Sequence, residues 1–412
     1  QHRQNPSGII FSPKTNNHPH LQSMAHHRAT FAEINLKAFK HNLQNLRAIT
    51  EPSTGLGPAT GIMAVIKADA YGHGAIPCAK AAIDIGVEYL GAGIIEEGIE
   101  LRENNITEPI LILGSIFPDE VADLVRHNFA TILCTPHLAQ ALAKEAEKQG
   151  KTVNVHIKVD TGMNRLGVLP ENLLPLIKTI NNLPTLKLEA LSTHFSSADD
   201  IDTSITTQQI ELFQKTLSEL QKAGVTMPPL THLANTSALF RFPESRSKMV
   251  RPGLILYGAL PSPILNSVVE EICQKENLQN FQPVMQWKSK IILLKSVQKG
   301  QPLSYSRKYF TPRDSVIATL PIGYADGLHR NLSNNMEVLI RGKRVPQVGT
   351  ICMDMILIDV TEVPDVQMGD EVVIFGKQGE EEITVEELAK RSNTIPYEIL
   401  CNVGKRVPRV YR

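Results

Sequence analysis

Short apolar runs alternate with amphipathic stretches along the first two thirds of the chain. The runs are apolar throughout, as expected for strands of a parallel sheet covered by helices on both faces. They read IMAVIKA, EYLGAG, PILILG, ATILC, VNVHIKVD, LEALSTHF, PLTHLAN and GLILYG. Eight such units within roughly 230 residues predict a closed (β/α)8 barrel. A doubly wound open sheet is the alternative, and the strand count favours the barrel.

The stretches between these runs have helical periodicity. Leu36, Phe39, Leu43 and Leu46 share one face of a predicted helix, and Asn35 stands before it as an N-cap. Further helices are predicted within CAKAAIDIG, HLAQALAKEAEKQG and TTQQIELFQKTLSELQKAG.

The pattern changes beyond residue 262. A linker with one short helix, PILNSVVEEICQKENLQNFQP, precedes strands that follow one another without helices. These strands are WKSKIILLKSV, SVIATLPIGY, MEVLIRGKRV, MILIDV and EVVIFG, followed by one late helix in TVEELAKRSN. The chain is therefore predicted to have a disordered tail over residues 1–28, a barrel domain over 29–268 and a mostly β domain over 269–412.

Composition narrows the class of protein. Lys and Arg total 42 and Asp and Glu also total 42, so the net charge gives no electrostatic reason to expect nucleic acid or anionic membrane as a partner. The chain has no apolar stretch of membrane-spanning length. Its five cysteines are scattered and form no C-x-x-C pair, which favours reduced thiols and a cytoplasmic location.

Polar residues follow nearly every predicted barrel strand, at the end where barrel active sites lie. They are Lys67, Lys158, Asp160, Arg165, His194, His232, Asn235, Thr236, Ser237, Arg251 and Gly253. His194 and His232 could instead be satisfied core histidines, and Arg165 and Arg251 ordinary surface cations. The coincidence of so many such residues at strand ends nevertheless favours a site. No dinucleotide fingerprint, P-loop, G-x-S-x-G elbow or metal-cluster spacing is present. A deep lysine with arginines, tyrosines and small-residue turns fits pyridoxal phosphate (PLP), whose aldehyde reacts with a lysine.

Segments quoted in chain order resemble those of the alanine racemase family. They are AVIKADAYGHG, KVDTGMNRLG, STHFSSAD, HLANTSA, VRPGLILYG, LSYSRKY, PIGYADG, VGTICMDM and PYEILC, and the resemblance extends over residues 29–412 apart from the linker. It implies a PLP-dependent isomerase that interconverts L- and D-alanine and supplies D-alanine for peptidoglycan. It also implies a homodimer with shared active sites.

The resemblance assigns roles to individual residues. Lys67 corresponds to the lysine that holds PLP and acts as one catalytic base, and Tyr305 to a second base from the partner subunit. His194 corresponds to the residue that contacts this tyrosine. Arg251 corresponds to the partner of that histidine and faces the pyridine nitrogen, and His232 extends this series of contacting residues.

The remaining roles concern binding. The phosphate of PLP is expected at Tyr71, Tyr397, Thr236 or Ser237, and the backbone of Gly253 and Leu254, with Asn235 adjoining. Arg165 and the backbone of Met353 correspond to groups that receive the substrate carboxylate, and Tyr324 and Asp354 to residues lining the entrance.

Three alternatives remain. A serine-type or broad racemase would differ in pocket size, which the sequence does not reveal. An amino-acid decarboxylase of the same architecture would require a glutamate at the pyridine nitrogen and a catalytic cysteine, whereas Arg251 and Tyr305 are present here. A non-enzymatic PLP carrier of barrel type would lack residues 285–412.

Overall fold

The computed structural model describes residues 28–51 and 60–412. The predicted tail, apart from Arg28, therefore lies outside the described residues. Arg28 itself donates to Asp326 Oδ1 at 2.6 Å, in the C-terminal part of the chain.

The ordered chain opens with a strand and a helix that the sequence pattern explains. β1 (Phe31–Ile34) leads into α1 (Leu36–Thr50), whose predicted N-cap is confirmed because Asn35 Oδ1 accepts from the Ala38 N–H at 3.0 Å. The face that carries Phe39, Leu43 and Leu46 is buried.

Eight parallel strands close into a barrel, as predicted. They are β2 (Gly61–Val65), β3 (Tyr89–Ala92), β4 (Ile110–Ile112), β5 (Ala130–Leu133), β6 (Val153–Lys158), β7 (Leu186–Ser192), β8 (Leu230–His232) and β9 (Met249–Val250). β2 pairs with both β3 and β9, which joins the first strand to the last. Inside the barrel, a separate cluster of inward side chains includes Met63, Leu111, Ile132 and Met249.

Helices follow the barrel strands. They are α2 (Lys67–Gly72), α3 (Ala75–Asp84), α4 (Ile95–Glu103), α5 (Val121–Arg126), α6 (Pro136–Lys148), α7 (Pro170–Asn181), α8 (Ser204–Lys222), α9 (Thr236–Arg241) and α10 (Ile264–Lys275), with 3-10 helices at Pro243–Ser245 and Leu254–Tyr257. None of the helices within residues 28–51 and 60–412 is long and apolar enough to cross a membrane.

The prediction of a strand in GLILYG is wrong. Leu254–Tyr257 forms a 3-10 helix, and the closing barrel strand is the shorter Met249–Val250 before it. All four residues of that helix are buried, and a short, fully buried apolar run has no periodicity that separates strand from helix. Gly258, with φ of +73°, ends the helix against the Gln282 carbonyl.

The second sheet belongs mainly to the C-terminal part of the chain. Its strands and neighbours are β10 (Met285–Lys290), β11 (Leu293–Val297), β12 (Pro302–Leu303), β13 (Tyr309–Phe310), β14 (Ser315–Leu320), β15 (Glu337–Ile340), β16 (Lys343–Val348), β17 (Ile356–Asp359), β18 (Glu371–Gln378), β19 (Glu381–Ile383) and β20 (Arg409–Tyr411). Two helices, α11 (Val385–Arg391) and α12 (Pro396–Asn402), and 3-10 helices at Tyr305–Arg307, Tyr324–Asp326 and Arg330–Leu332 complete it.

The sheet order is β11-β14-β17-β16-β15-β18-β10-β1-β20, with β19 beside β18, while β12 and β13 form a separate hairpin. β1 thus pairs in this sheet although it precedes the barrel in the chain. The predicted domain boundary at residues 268/269 falls within α10 and stays a prediction.

Candidate active site

Lys67 follows the first barrel strand and begins an unusual turn. The four residues after it, Ala68–Tyr71, have φ values of 50–54° and ψ values of 43–51°, so they form one left-handed turn of helix. Left-handed backbone costs about 1–2 kcal/mol per residue for side chains other than glycine. The surrounding structure must therefore impose the conformation.

Hydrogen bonds from outside the turn hold it. The carboxylate of Glu97, in the first turn of α4, accepts from Ala68 N–H at 2.8 Å and from Gly93 N–H at 2.7 Å. The Asp69 carboxylate accepts from Ala75 N–H at 2.6 Å and so ties the turn to the start of α3. Glu97 thereby joins the loops after β2 and β3 next to Lys67.

One open pocket at the carboxyl end of the barrel contains most of the predicted site residues. It measures about 790 Å³, within the range of roughly 300–1,000 Å³ usual for small-molecule sites. Its predicted members are Lys67, Tyr71, Lys158, Arg165, His194, Asn235, Thr236, Arg251, Gly253 and Tyr397. Ser237 and Leu254, both buried, are not among the described residues that line it.

Cations dominate the electrostatics of this pocket. Burial, followed by the cation of Arg165, lowers the pKa of Lys67 below its ordinary value. Burial and the Arg251 cation lower the pKa of Lys158 to about 8. Burial also lowers the pKa of Arg251, to about 10. The pocket is therefore suited to anionic groups and favours an uncharged Lys67 amine more than water does.

Arg251 is held by carbonyls and by two histidines. Its Nη2 donates to Thr193 O at 2.8 Å and to Leu233 O at 2.9 Å, and lies 3.3 Å from His194 Nδ1. Its Nη1 lies 2.8 Å from His232 Nδ1. The expected contacts of Arg251 with His194 and His232 are thus present. Burial, and then the Arg251 cation, lower the pKa values of both histidines well below the ordinary value, so both rings are neutral.

The hydroxyl residues Tyr71, Tyr397 and Thr236 also line the pocket. Tyr71 packs edge-on against Tyr397, with ring centroids 5.7 Å apart. A Cβ at Gly253 would lie 2.8 Å from the Tyr71 hydroxyl, so only glycine lets the backbone approach so closely. Gly253 N–H donates to Thr236 Oγ1 at 3.0 Å, and Asn235 Oδ1 accepts from Ala238 N–H at 3.0 Å. Asn235 thus acts as the N-cap of α9.

Four predicted residues lie outside this pocket, in the C-terminal domain. Tyr305, Met353, Tyr324 and Asp354 cluster around the β12–β13 hairpin and the segment before β17. The Tyr305 carbonyl accepts from Thr350 Oγ1 at 2.9 Å, and Tyr324 N–H donates to Cys352 O at 3.0 Å. The side chains of Tyr305 and Met353 are 68% and 52% exposed. A single chain thus presents the predicted residues in two separate groups.

Several residues near the site were not predicted from the sequence. Glu97 and Cys401 adjoin Lys67, and His156, Glu189 and Tyr89 form a polar row inside the barrel. The available signal was a polar residue between apolar ones within a predicted strand, as His156 is between Val155 and Ile157. Such a residue is often only a satisfied core side chain.

An eight-stranded barrel with a C-terminal β domain and a cationic lysine pocket defines a two-domain barrel enzyme. Two family models match the chain: the alanine racemase N-terminal domain over residues 34–261 and the alanine racemase C-terminal domain over residues 284–411. The chain belongs to the alanine racemase family.

Individual relatives agree with this assignment. An alanine racemase of Halothermothrix orenii is 42% identical over 386 residues, which is 93% of this chain and 97% of the relative. The structure of an alanine racemase from Clostridium difficile 630 matches with a TM-score of 0.86 and 38% identity, over 94% of this chain and 96% of that one. A histidine racemase from Leuconostoc mesenteroides matches with a TM-score of 0.83 and 28% identity, over 94% and 99%.

Proposed function

We propose that this chain is an alanine racemase that interconverts L-alanine and D-alanine with PLP. The family assignment supports the reaction. The single observation that carries the chemistry is the position of Lys67, whose depressed pKa and cationic, hydroxyl-lined pocket suit an amine that works beside anionic groups.

The residues of the pocket fit PLP. Lys67 would supply the amine for its aldehyde, and the backbone at Gly253 leaves room beside the Tyr71 hydroxyl that a Cβ would fill. Thr236 Oγ1 accepts from Gly253 N–H, which leaves the Thr236 hydroxyl proton free to donate to a phosphate. Tyr71, Tyr397 and Thr236 would hold the phosphate. When bound, PLP withdraws electrons from the substrate Cα and so acidifies its proton.

Arg251 would have a distinct role, toward the ring of the cofactor. A guanidinium donates hydrogen bonds and accepts no proton, so beside the pyridine nitrogen it would leave that nitrogen unprotonated. A decarboxylase of this architecture would need a carboxylate there, and Arg251 therefore favours the racemase over that alternative.

Two bases on opposite faces of one Cα are what racemisation requires. Lys67, with its lowered pKa, can take or return the proton on one face. On the other face we assign Tyr305 of the partner subunit. His194 Nδ1 accepts from Arg251, so its proton lies on Nε2, where it can donate to a tyrosine hydroxyl in the pocket.

The two separate groups of predicted residues support a homodimer with shared sites. The four residues Tyr305, Met353, Tyr324 and Asp354 do not line the Lys67 pocket of their own chain, and their exposed aromatic and thioether side chains suit a protein interface. In that arrangement the Met353 backbone and Arg165 would receive the substrate carboxylate, and Tyr324 and Asp354 would line the entrance. Asp354 is held by Arg406 at 2.7 Å.

We assign the activity to the cytoplasm and to the supply of D-alanine for peptidoglycan. Alanine is the proposed substrate, and broader use stays an alternative because a histidine racemase shares the fold.

The test is an assay of the purified, PLP-loaded protein with L-alanine, L-serine, L-lysine and L-histidine in parallel. Racemisation of alanine with the highest kcat/KM is expected. Borohydride reduction should fix PLP on Lys67, as mapped by mass spectrometry. A label on another lysine, or loss of CO2 from any substrate, would contradict the proposal.

A further inference from the structure

A row of hydrogen-bonded side chains crosses the interior of the barrel. It begins at Arg251, in the pocket, and continues from Arg251 Nη1 to His232 Nδ1 at 2.8 Å and from His232 Nε2 to His156 Nδ1 at 2.9 Å. It ends where His156 Nε2 meets Glu189 Oε2 at 3.0 Å. Arg251, His232 and His156 are 7%, 1% and 0% exposed, so the row is enclosed by protein along its length.

Glu189 owes its place in this row to a β-bulge. In the pairing of β6 with β7, Val155 lies opposite Leu188 and His156 lies opposite Ala190, which leaves Glu189 without a partner. A bulge redirects a side chain at the point where the ladder is interrupted. Here the carboxylate is directed to the amino-terminal end of the barrel, where a cleft is lined by Tyr89 and Asn154.

The carboxylate of Glu189 is well supplied with donors. Oε1 accepts from Asn154 Nδ2 at 2.9 Å, and Oε2 accepts from the Tyr89 hydroxyl as well as from His156. Burial alone raises the pKa of Glu189, but the hydrogen bonds from His156 and Tyr89 outweigh it and hold the pKa below the ordinary value. Glu189 is therefore an anion at neutral pH, although its side chain is only 14% exposed.

The groups at the two ends of the row determine which ring nitrogen of each histidine carries the proton. Arg251 can only donate, so His232 Nδ1 must accept and the proton of this neutral ring lies on Nε2. His232 Nε2–H then donates to His156 Nδ1, which places the His156 proton on Nε2, facing Glu189. All three hydrogen bonds consequently point from the cation to the anion.

Arg251 otherwise lacks an anion. Within residues 28–51 and 60–412, no ion pair shorter than 4.0 Å includes Arg251, and its other acceptors are the carbonyls of Thr193, His232 and Leu233. A buried cation that is paired only with neutral groups is costly. Glu189 is the charged group that the row connects to it.

We propose that Glu189 is the remote counter-charge of Arg251 and a positioning residue for it, acting through the ordered tautomers of His156 and His232. The row holds the Arg251 guanidinium, and with it His194, in one orientation toward the pocket. Glu189 touches neither substrate nor cofactor. The arrangement belongs to the free protein; only its effect on turnover rests on the proposed function.

The order of the protons can be measured directly. In protein with 15N-labelled histidines, long-range 1H–15N spectra distinguish the two tautomers, and His156→Asn and His232→Asn variants assign the signals. Both rings are expected as Nε2–H tautomers at neutral pH. An Nδ1–H tautomer for His232 would overturn the proposal without the need for any Glu189 variant.

The role of Glu189 is tested with two variants and a matched control. Glu189→Leu removes the acceptor, so His156 should lose its single-tautomer signal, and the His232 shifts should move with it. Glu189→Gln keeps an acceptor but removes the charge, and it tests the charge if Glu189→Leu fails to fold. The control is Glu88→Gln, which changes a carboxylate at the same end of the barrel that accepts from Ile62 N–H and from Arg47 instead of a histidine.

Turnover gives the second measurement. Loss of the charge at the far end of the row, which weakens the hydrogen bond from His156, should lower kcat for alanine about tenfold in Glu189→Gln, with KM for alanine within about twofold of the wild type. Glu88→Gln should change neither. Equal kcat values and equal histidine spectra in Glu189→Gln and Glu88→Gln would refute the positioning role. Because the spectra require no turnover, they decide the question even if alanine is not the substrate.

Discussion

Glu97 should determine whether the left-handed turn after Lys67 holds its shape. Glu97→Gln leaves one acceptor oxygen where two backbone N–H groups, of Ala68 and Gly93, now donate to two oxygens at 2.8 and 2.7 Å. One donor therefore faces an amide NH2 instead of an oxygen. The variant changes a single functional group and preserves the shape of the side chain.

The magnitude follows from the turn itself. Four left-handed residues cost about 4–8 kcal/mol. The hydrogen bond from Ala68 N–H to the Glu97 carboxylate offsets about 1.5–3 kcal/mol of that, and the bond from Gly93 N–H fixes the carboxylate in place. Loss of one of these two hydrogen bonds should cost about 2 kcal/mol. If PLP binding needs the formed turn, the Kd for PLP should rise roughly thirtyfold.

The charge has an effect of its own. The Glu97 carboxylate raises the pKa of Lys67 and so opposes the lowering by burial and Arg165. Its removal should lower the pKa of Lys67 further. The rate of PLP binding should then reach half of its maximum at a lower pH.

The assay is a titration of the PLP-free protein with PLP, followed by absorbance over a range of pH. The matched control is Glu96→Gln, which removes the same charge one residue earlier in α4 from an exposed side chain. Equal PLP affinities of Glu97→Gln and Glu96→Gln would refute the reasoning, because of these two carboxylates it is Glu97 that accepts from Ala68 N–H in the turn.

Three further outcomes are expected. Mixing inactive Lys67→Ala and Tyr305→Phe chains should restore up to about a quarter of wild-type activity, because mixed dimers contain one intact site. No recovery after confirmed subunit exchange would place both bases in one chain. Gly253→Ala should destabilise the PLP-free protein by about 1–3 kcal/mol because its Cβ would lie 2.8 Å from the Tyr71 hydroxyl, and Tyr71→Phe in the same chain should recover part of that loss of stability in denaturant unfolding. Lys158 has a pKa of about 8 in the folded state and 10.5 in the unfolded state. Between these pH values the folded state binds fewer protons than the unfolded state, so the contribution of Lys158 to stability rises with pH. Lys158→Met should stabilise the PLP-free protein below pH 8 by up to roughly 3 kcal/mol and remove that rise, as measured by denaturant unfolding.

The local pattern of the chain determined the architecture and much of the pocket. Apolar runs that alternate with amphipathic helices specify a barrel, because parallel strands buried on both faces must be apolar throughout. Residues just after those strands meet at one end of a barrel, so Lys67, Arg165, His194 and Arg251 were identified as neighbours from their places in the sequence alone.

Only the tertiary structure decided the features that depend on partners far apart in the chain. Of the two adjacent hydroxyl residues, Thr236 lines the pocket and Ser237 does not, and the neighbouring loop brings Gly253 N–H to Thr236 Oγ1. GLILYG contains a 3-10 helix although its apolar run predicted a strand, because a short, fully buried run has no periodicity that separates the two conformations. The left-handed turn depends on Glu97, and the position of Glu189 depends on a register shift between two strands. No local propensity encodes such a conformation, since its free energy comes from hydrogen bonds that exist only after the barrel has closed.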